Sequence, residues 1–217
     1  MILRAALERS LQYCLLALAI VAGSAFAEMP NDATPEAAEQ SATATVERFH
    51  AYLLSAMRSV DLDVAGRKEM LREVLASSFD VAAIARVSLG RHWRTLEAEQ
   101  REQVESTLFE LILTTYAARF DGYSGERFVT VGMGKASAGQ MLLRTRIERS
   151  GGDPVRLDYL LRDTDDGPRI LNVIANGFSD LSVRRAEYTS IVERRGVEGL
   201  LVEMERLIER NLREGAA

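Results

Sequence analysis

The sequence predicts an α+β fold in one domain: N-terminal helices, a four-stranded antiparallel meander sheet, and C-terminal helices around an apolar pocket. Three observations support this prediction. Apolar residues recur at helical spacing up to about residue 122, alternate with period two between about residues 127 and 175, and return to helical spacing after Asn176-Gly177. Helices on both sides of a run of strands with short links are typical of α+β domains.

The first 27 residues predict a secretory signal peptide. Arg4 and Arg9 supply positive charge, residues 11–22 form an apolar run without charge, and Ala25-Phe26-Ala27 fits a cleavage site. The apolar run is shorter than the roughly 20 residues that a membrane-spanning helix needs. We therefore expect cleavage before Glu28, the alternative being an N-terminal anchor helix.

The next segment, residues 28–42, is rich in Ala, Pro and acidic residues and has almost no apolar anchor. That composition is typical of mobile chain ends. The sequence therefore predicts a flexible leader over 28–42 and one folded domain over 43–213.

Apolar stripes predict the helices before the sheet. The first two stripes consist of Val46, Phe49, Leu53, Met57 and Val60, and of Met70, Leu71, Val74, Leu75 and Phe79. Asp80 is a candidate N-cap for a short helix that Gly90 ends. The helix over 97–122 carries two apolar stripes, so we expect other elements to cover it on more than one side, including the sheet.

Four strands are predicted at about 127–133, 140–149, 154–162 and 169–175. Short links rich in Gly and Asp separate them, which favours an antiparallel meander. In the middle hairpin a three-residue loop, 151–153, pairs Thr145 with Tyr159 on an apolar face and Arg146 with Asp158 on a charged face. In the last strand Leu171 and Val173 are expected to continue the apolar face, with Ile170 and Ile174 on the other face.

Composition excludes several classes of function. The 217 residues include 27 Lys+Arg and 32 Asp+Glu, and the net charge of -5 offers no basic excess for nucleic acid. Cys14 is the single cysteine and there are two histidines, so a cysteine-based metal site is not expected. No nucleotide-binding or metalloprotease motif is present, and we expect no cofactor and no metal.

The apolar face of the predicted sheet carries no carboxylate and no histidine in its middle hairpin. A general acid–base enzyme needs a titratable group in its pocket. Two interpretations remain: a solid core, or an apolar cavity between the sheet and a helix that holds a lipid. Periodicity does not separate them, because both use the same residues.

Several segments, taken in order, resemble the MlaC / toluene-tolerance family, a family of periplasmic lipid-binding components of ABC transport systems. The resemblance covers about residues 43–212 and lies in 79–86 (FDVAAIAR), 89–94 (LGRHWR), 115–120 (TYAARF), 154–159 (PVRLDY), 167–173 (GPRILNV), 177–181 (GFSDL) and 184–188 (RRAEY). The chain departs from the family at Pro168, where a Trp is usual, and at Asn172, where an Asp is usual.

The resemblance implies a periplasmic shuttle without enzymatic activity. Such a shuttle carries phospholipid, or a related lipid such as a hopanoid, and so maintains the lipid asymmetry of the outer membrane. Its implied partners are an outer-membrane lipoprotein complex and an inner-membrane ABC permease that carries an MCE-type protein. Two rivals remain: a small-molecule enzyme on a cone-shaped α+β fold, and a periplasmic adaptor that binds no lipid.

The expected lipid-binding residues combine the apolar sheet face with the wide helix. They are Phe109, Ile112, Tyr116, Val129, Val131, Leu143, Thr145, Leu157, Tyr159, Leu161, Leu171 and Val173.

Overall fold

The computed structural model describes residues 34–136 and 139–214, except for the side chains of Lys135 and Glu214. The predicted signal peptide and the start of the predicted leader lie outside the described residues. The α+β prediction is confirmed. The helices are α1 (Pro35–Arg58), α2 (Val64–Ser78), α3 (Val81–Leu89), a 3₁₀ helix (Gly90–Thr95), α4 (Ala98–Arg119) and, after the sheet, α5 (Asp180–Glu214).

Helix α1 begins at Pro35, inside the segment predicted as a flexible leader. Proline suits the first helical position, where no intrahelical partner for its nitrogen is needed, and alanine has the highest helix propensity. Ala42 is fully buried. The first helix therefore begins before residue 43, the predicted start of the folded domain, because these residues favour a helix and Ala42 anchors it to the core.

The sheet is an antiparallel meander, as predicted, with one short strand added at its edge. Its strands are β1 (Arg127–Lys135), β2 (Gln140–Glu148), β3 (Val155–Arg162), β4 (Arg169–Ala175) and β5 (Phe178–Ser179), in the order β1-β2-β3-β4-β5. Asn176 and Gly177 have φ of 49° and 88°. Positive φ at both positions suits a tight hairpin turn, which pairs β5 with β4.

The predicted register of the middle hairpin is wrong by two residues, although the faces are right. Thr145 lies opposite Leu157, and Ile147 lies opposite Val155. The observed register buries the Ile147–Val155 pair, which are 5% and 6% exposed, and residues 149–154 form a longer connection than predicted. Because a two-residue shift preserves the alternation of side chains, the apolar and charged faces are unchanged.

Two β-bulges change which side chains face inward. The pairing of β1 with β2 shifts between Thr130 and Gly132, and the pairing of β3 with β4 shifts at Leu171. An extra residue in one strand reverses the alternation beyond it. Ile170 therefore lies on the apolar face opposite Leu161, and its predicted position on the other face is wrong.

The helix that lies across the sheet is α1, which contacts β1, β2 and β4. Helix α4, predicted to face the sheet, packs instead mainly on α2, α3 and α5. A helix that is apolar on most sides is covered on most sides, but that pattern does not say by which elements. Helix α5 is interrupted at Gly196, whose φ of 71° lies outside the helical region.

Two aspartates cap helices in the same way but differ in their other contacts. Asp63 accepts a hydrogen bond from the backbone N–H of Gly66 at the start of α2. Asp80, predicted as an N-cap, accepts from the backbone N–H of Ala83 at 2.9 Å and also pairs with Arg162 of β3. Asp80 thereby ties α3 to the sheet.

We predict that Asp63→Ala lowers the free energy of unfolding by about 1 kcal/mol, the usual value of an exposed N-cap. Asp80→Ala removes a cap and a charge-assisted hydrogen bond, so we expect a loss of about 2–3 kcal/mol. Urea unfolding followed by circular dichroism measures both. Equal losses in the two variants would contradict the proposed link between α3 and the sheet.

Candidate functional site

One face of the sheet, called here the inner face, is apolar and covered by helices. Its central residues are nearly inaccessible, with Leu143, Tyr159, Leu161 and Ile170 at most 1% exposed. The inner face consists of Phe128, Leu143, Thr145, Ile147, Val155, Leu157, Tyr159, Leu161, Ile170 and Val173. The hydroxyl of Thr145 donates to the carbonyl of Leu157 at 2.8 Å, so this face offers no unpaired hydroxyl there.

A cluster of aromatic rings joins α1 to the inner face. Phe49 of α1 is fully buried, and its ring centroid lies 5.2 Å from those of Phe79 and Tyr116 and 6.5 Å from that of Tyr159. All three contacts are edge-to-face, the arrangement that aromatic quadrupoles favour. Phe49 is therefore the central ring of an apolar interior that the chain fills with its own side chains.

His50 lies beside this cluster and provides one of its few polar contacts. Its ring stacks on Phe128 with centroids 3.9 Å apart, and a hydrogen bond of 2.9 Å joins His50 Nε2 to the hydroxyl of Tyr159. His50 is 4% exposed, so the ring is buried as well as hydrogen-bonded. Thr130 of β1 donates to Glu47 of α1 at 3.0 Å, which adds a second polar contact at the margin of the same interface.

Burial determines the protonation of these groups. It lowers the pKa of His50 to about 3 and raises the pKa of both Tyr116 and Tyr159 above the usual value. His50 and the two tyrosines are therefore uncharged at neutral pH. A neutral interior of this kind suits hydrocarbon, whereas a general acid or base works best with a pKa near the working pH.

The structure brings six of the twelve predicted site residues together on the inner face: Leu143, Thr145, Leu157, Tyr159, Leu161 and Val173. Tyr116 joins them through Phe49, and Ile112 of α4 is buried in the same apolar core. The strand parity in β2 and β3 was sufficient to identify most of this set.

The other four predicted residues lie elsewhere. Val129 lies opposite Arg146 on the outer face, and Val131 is the extra residue of the β1 bulge with 57% of its surface exposed. Leu171 is the extra residue of the β4 bulge. Phe109 lies under the guanidinium of Arg72, 5.9 Å from its ring centroid, where α4 packs on α2.

Sequence reasoning did not assign Phe49, His50, Phe79 and Phe128 to the site. The signal for Phe49 was present, because it lies in the first apolar stripe, but nothing in that stripe indicated which element it covers. Phe128 was missed because the β1 bulge places Phe128 and Met133 inward, opposite Ile147 and Leu143.

Several apolar side chains on the inner face or beside it are only half buried. They include Phe120, Phe128, Met133, Met141, Val173 and Ala175. Tyr116 is also only partly covered, although burial raises its pKa strongly.

Two open depressions lie on the opposite side of the sheet and at its edge. One, of about 440 Å³, is lined by Val131, Arg144, Thr145, Arg146, Pro154, Arg156 and Asp158. The other, of about 370 Å³, is lined by Gly125, Arg127, Glu148, Arg149, Ser150, Gly152 and Pro154. Charged side chains line both depressions, and both are distinct from the aromatic interior.

Neither a metal cluster nor a membrane-spanning helix is found in the part of the chain that the structure describes. No group of three His, Cys, Asp or Glu side chains within residues 34–136 and 139–214 is placed to hold a metal ion. Over the same residues, no helix is both long enough and apolar enough to cross a bilayer.

The chain belongs to the MlaC protein family, whose model matches residues 44–206. The fold is similar to that of a phospholipid-binding protein from Ralstonia solanacearum, solved in complex with a phospholipid. The two have a TM-score of 0.69 and 17% sequence identity, over 80% of this chain and 98% of that chain. At this identity the likeness concerns the fold. Among curated proteins, none matches the chain.

We predict that His50 makes stability depend on pH between about 6.5 and 3. Above pH 6.5 the imidazole is neutral in both states, whereas below it the unfolded chain binds a proton that folded His50, with its pKa of about 3, does not. The free energy of unfolding therefore decreases as the pH is lowered, by roughly 2 kcal/mol from pH 7 to pH 4.5. Urea unfolding across this range measures the effect.

The matched controls use the two histidines of the chain. His50→Gln should lose this part of the pH dependence, while His92→Gln should keep it, so that carboxylate titration cancels in the comparison. A His50→Gln curve parallel to that of the unaltered protein would show that His50 is not buried as a neutral group.

Proposed function

We propose that this protein is a periplasmic carrier that binds one membrane lipid, with its acyl chains between the inner face and helices α1 and α4. The observation that carries the proposal is the inner face itself, a continuous apolar surface with neutral polar groups in a member of the MlaC family. The phospholipid described for the structurally similar Ralstonia protein supports phospholipid as the cargo.

The cargo makes a carrier necessary on physical grounds. Two acyl chains of 16 carbons in water cost on the order of 25 kcal/mol, at ~0.8 kcal/mol per CH₂. A lipid monomer therefore does not cross an aqueous compartment at a useful rate by itself. A protein with an apolar interior removes most of this cost by keeping the chains dry.

Loading requires the interior to open, because its own aromatic side chains fill it. Edge-to-face ring contacts contribute only about 0.5–1.5 kcal/mol each beyond the area that they bury. Two polar contacts tie α1 to the sheet: the buried His50–Tyr159 hydrogen bond and the Thr130–Glu47 hydrogen bond at the margin of the interface. We therefore propose that α1 moves away from the inner face and that acyl chains replace Phe49 as the neighbours of Tyr159.

The cellular role is the finer part of the proposal. The predicted signal peptide over 1–27 supports export to the periplasm. We propose that the carrier exchanges lipid between an outer-membrane lipoprotein complex and an inner-membrane ABC permease with an MCE-type protein. A hopanoid remains a second cargo of the same apolar chemistry, and the identity of the extracted lipid separates the two.

Two valines on opposite faces of the sheet provide a matched test. Val173 lies on the inner face opposite Tyr159, whereas Val131 is 57% exposed and lines the depression on the opposite side of the sheet. We predict that Val173→Asp reduces the lipid that co-purifies by at least about tenfold, because a carboxylate beside an acyl chain is costly to desolvate. Val131→Asp should retain the lipid. Organic extraction and mass spectrometry of protein expressed with native membranes measure both.

The outcomes separate the carrier from its rivals once circular dichroism has established that both variants fold. Stoichiometric lipid in the unaltered protein, lost only in Val173→Asp, supports the carrier. No lipid in the unaltered protein favours a lipid-free adaptor. Equal loss in both variants would place the cargo outside the inner face.

A further inference from the structure

The opposite side of the sheet, called here the outer face, concentrates arginines on a protein of net negative charge. Arg144, Arg146 and Arg156 line the depression of about 440 Å³, together with Asp158, and the whole chain carries a net charge of -5. A local excess of guanidinium groups on an acidic protein is a specific feature of this surface, because it has no counterpart in the overall composition.

The arginines of the outer face have more hydrogen-bond donors than their carboxylate neighbours can use. Glu148 is shared by Arg146 at 2.8 Å and Arg127 at 2.7 Å. Among the described residues, no hydrogen bond or ion pair involves the guanidinium of Arg144. This guanidinium lies across Gly134, and a Cβ atom added at Gly134 would come within 3.0 Å of it. Such free donors, forked and planar, suit a phosphate group.

Asp158 has the opposite property: one of its carboxylate oxygens has no donor to accept a hydrogen bond from. Its side chain is 3% exposed, and Oδ2 accepts from Arg156 Nε at 2.8 Å. Oδ1 is buried without a hydrogen-bond partner among the described residues. A buried carboxylate oxygen in this state is unusual, because removal from water is compensated only by hydrogen bonds or a cation.

A second buried aspartate on the same side of β3 shows that the fold can satisfy such a group. Both oxygens of Asp80 are engaged, Oδ1 by the backbone N–H of Ala83 and Oδ2 by Arg162. The missing partner of Asp158 is therefore not a general consequence of placing an aspartate beside an arginine of β3.

We propose that the depression on the outer face binds a phosphate ester that also carries a primary ammonium group. The phosphate lies among Arg144, Arg146 and Arg156, and the ammonium donates to Asp158. Binding exchanges one ion pair for two: Arg156, whose side chain is 60% exposed, moves from Asp158 to the phosphate, and the ammonium, which has three N–H donors, takes its place and donates to Oδ1 as well as to Oδ2. No buried charge is left without a partner.

This site is separate from the carrier function proposed above. It lies across the sheet from the inner face, so acyl chains held in the interior do not reach it. The same chemistry occurs in a soluble phosphate ester and in the head group of a phosphatidylethanolamine bilayer, and the test includes both sources.

The probes are phosphorylethanolamine, phosphorylcholine and inorganic phosphate, titrated into the ¹⁵N-labelled full chain and followed by NMR. Phosphorylcholine has the same two charges but no ammonium N–H. We expect phosphorylethanolamine to bind about tenfold more tightly than either of the others, the value of one charge-assisted hydrogen bond. The shifted amides should lie in β1, β2 and β3.

The variants divide the two halves of the site. Arg156→Gln should abolish binding. Asp158→Asn should reduce the affinity for phosphorylethanolamine to the affinity for phosphorylcholine. Arg162→Gln is the matched control on the same strand and should bind as the unaltered protein does. Flotation with vesicles of phosphatidylethanolamine and phosphatidylcholine, against phosphatidylcholine alone, then distinguishes a membrane head group from a soluble ester.

Three results would overturn the proposal. If the unaltered protein binds no phosphorylethanolamine, the proposed site does not exist. Equal affinity for all three probes would show that the depression is an adventitious anion site only. Unchanged selectivity in a folded Asp158→Asn variant would exclude the carboxylate. Failure of the lipid extraction test leaves all of these measurements unaffected, because they probe a different face.

Discussion

The structure depends on covering the apolar inner face of the sheet, and α1 is the helix that contacts β1, β2 and β4. Phe49 contacts the rings of Phe79 at the C-terminal end of α2, of Tyr116 in α4 and of Tyr159 in β3, while His50 stacks on Phe128 of β1. The remaining helices pack around this centre, with α4 held by α2, α3 and α5. Burial of the inner face against α1 is therefore the contact on which both the stability and the proposed function depend.

The same contact creates a conflict for a carrier, since a surface that is well covered by protein is not available to a ligand. Aromatic and aliphatic packing resolves the conflict in part, because it is non-directional and an acyl chain offers the same kind of contact. Neutral His50 and the uncharged tyrosines add no desolvated charge that a lipid would have to pass. Exchange of ring contacts for hydrocarbon contacts then requires less free energy than exposing either surface to water.

The sequence was sufficient for features determined by local pattern and insufficient for features determined by distant contacts. The N-cap at Asp80 and the two faces of β2 and β3 follow from residue type and spacing. The β1 and β4 bulges reversed the alternation at Val131 and Leu171. The sequence signal for the β1 bulge was Gly132, because a glycine inside a strand often marks a bulge. Its φ in the structure is 148°. The identity of the helix on the sheet was not predictable, because periodicity reports that a face is buried and not what buries it.

Fixing α1 to the sheet tests the account most directly. Glu47 and Thr130 are in hydrogen-bond contact at 3.0 Å, and a chain that begins at Glu28 contains no cysteine, so Glu47→Cys and Thr130→Cys can be joined by a short bismaleimide. Transfer of a fluorescent phospholipid from vesicles to the protein should stop in the cross-linked form. It should persist in the untreated double variant and in each treated single variant. Undiminished uptake by fully cross-linked protein would contradict the account, because the inner face would then accept lipid without the movement of α1.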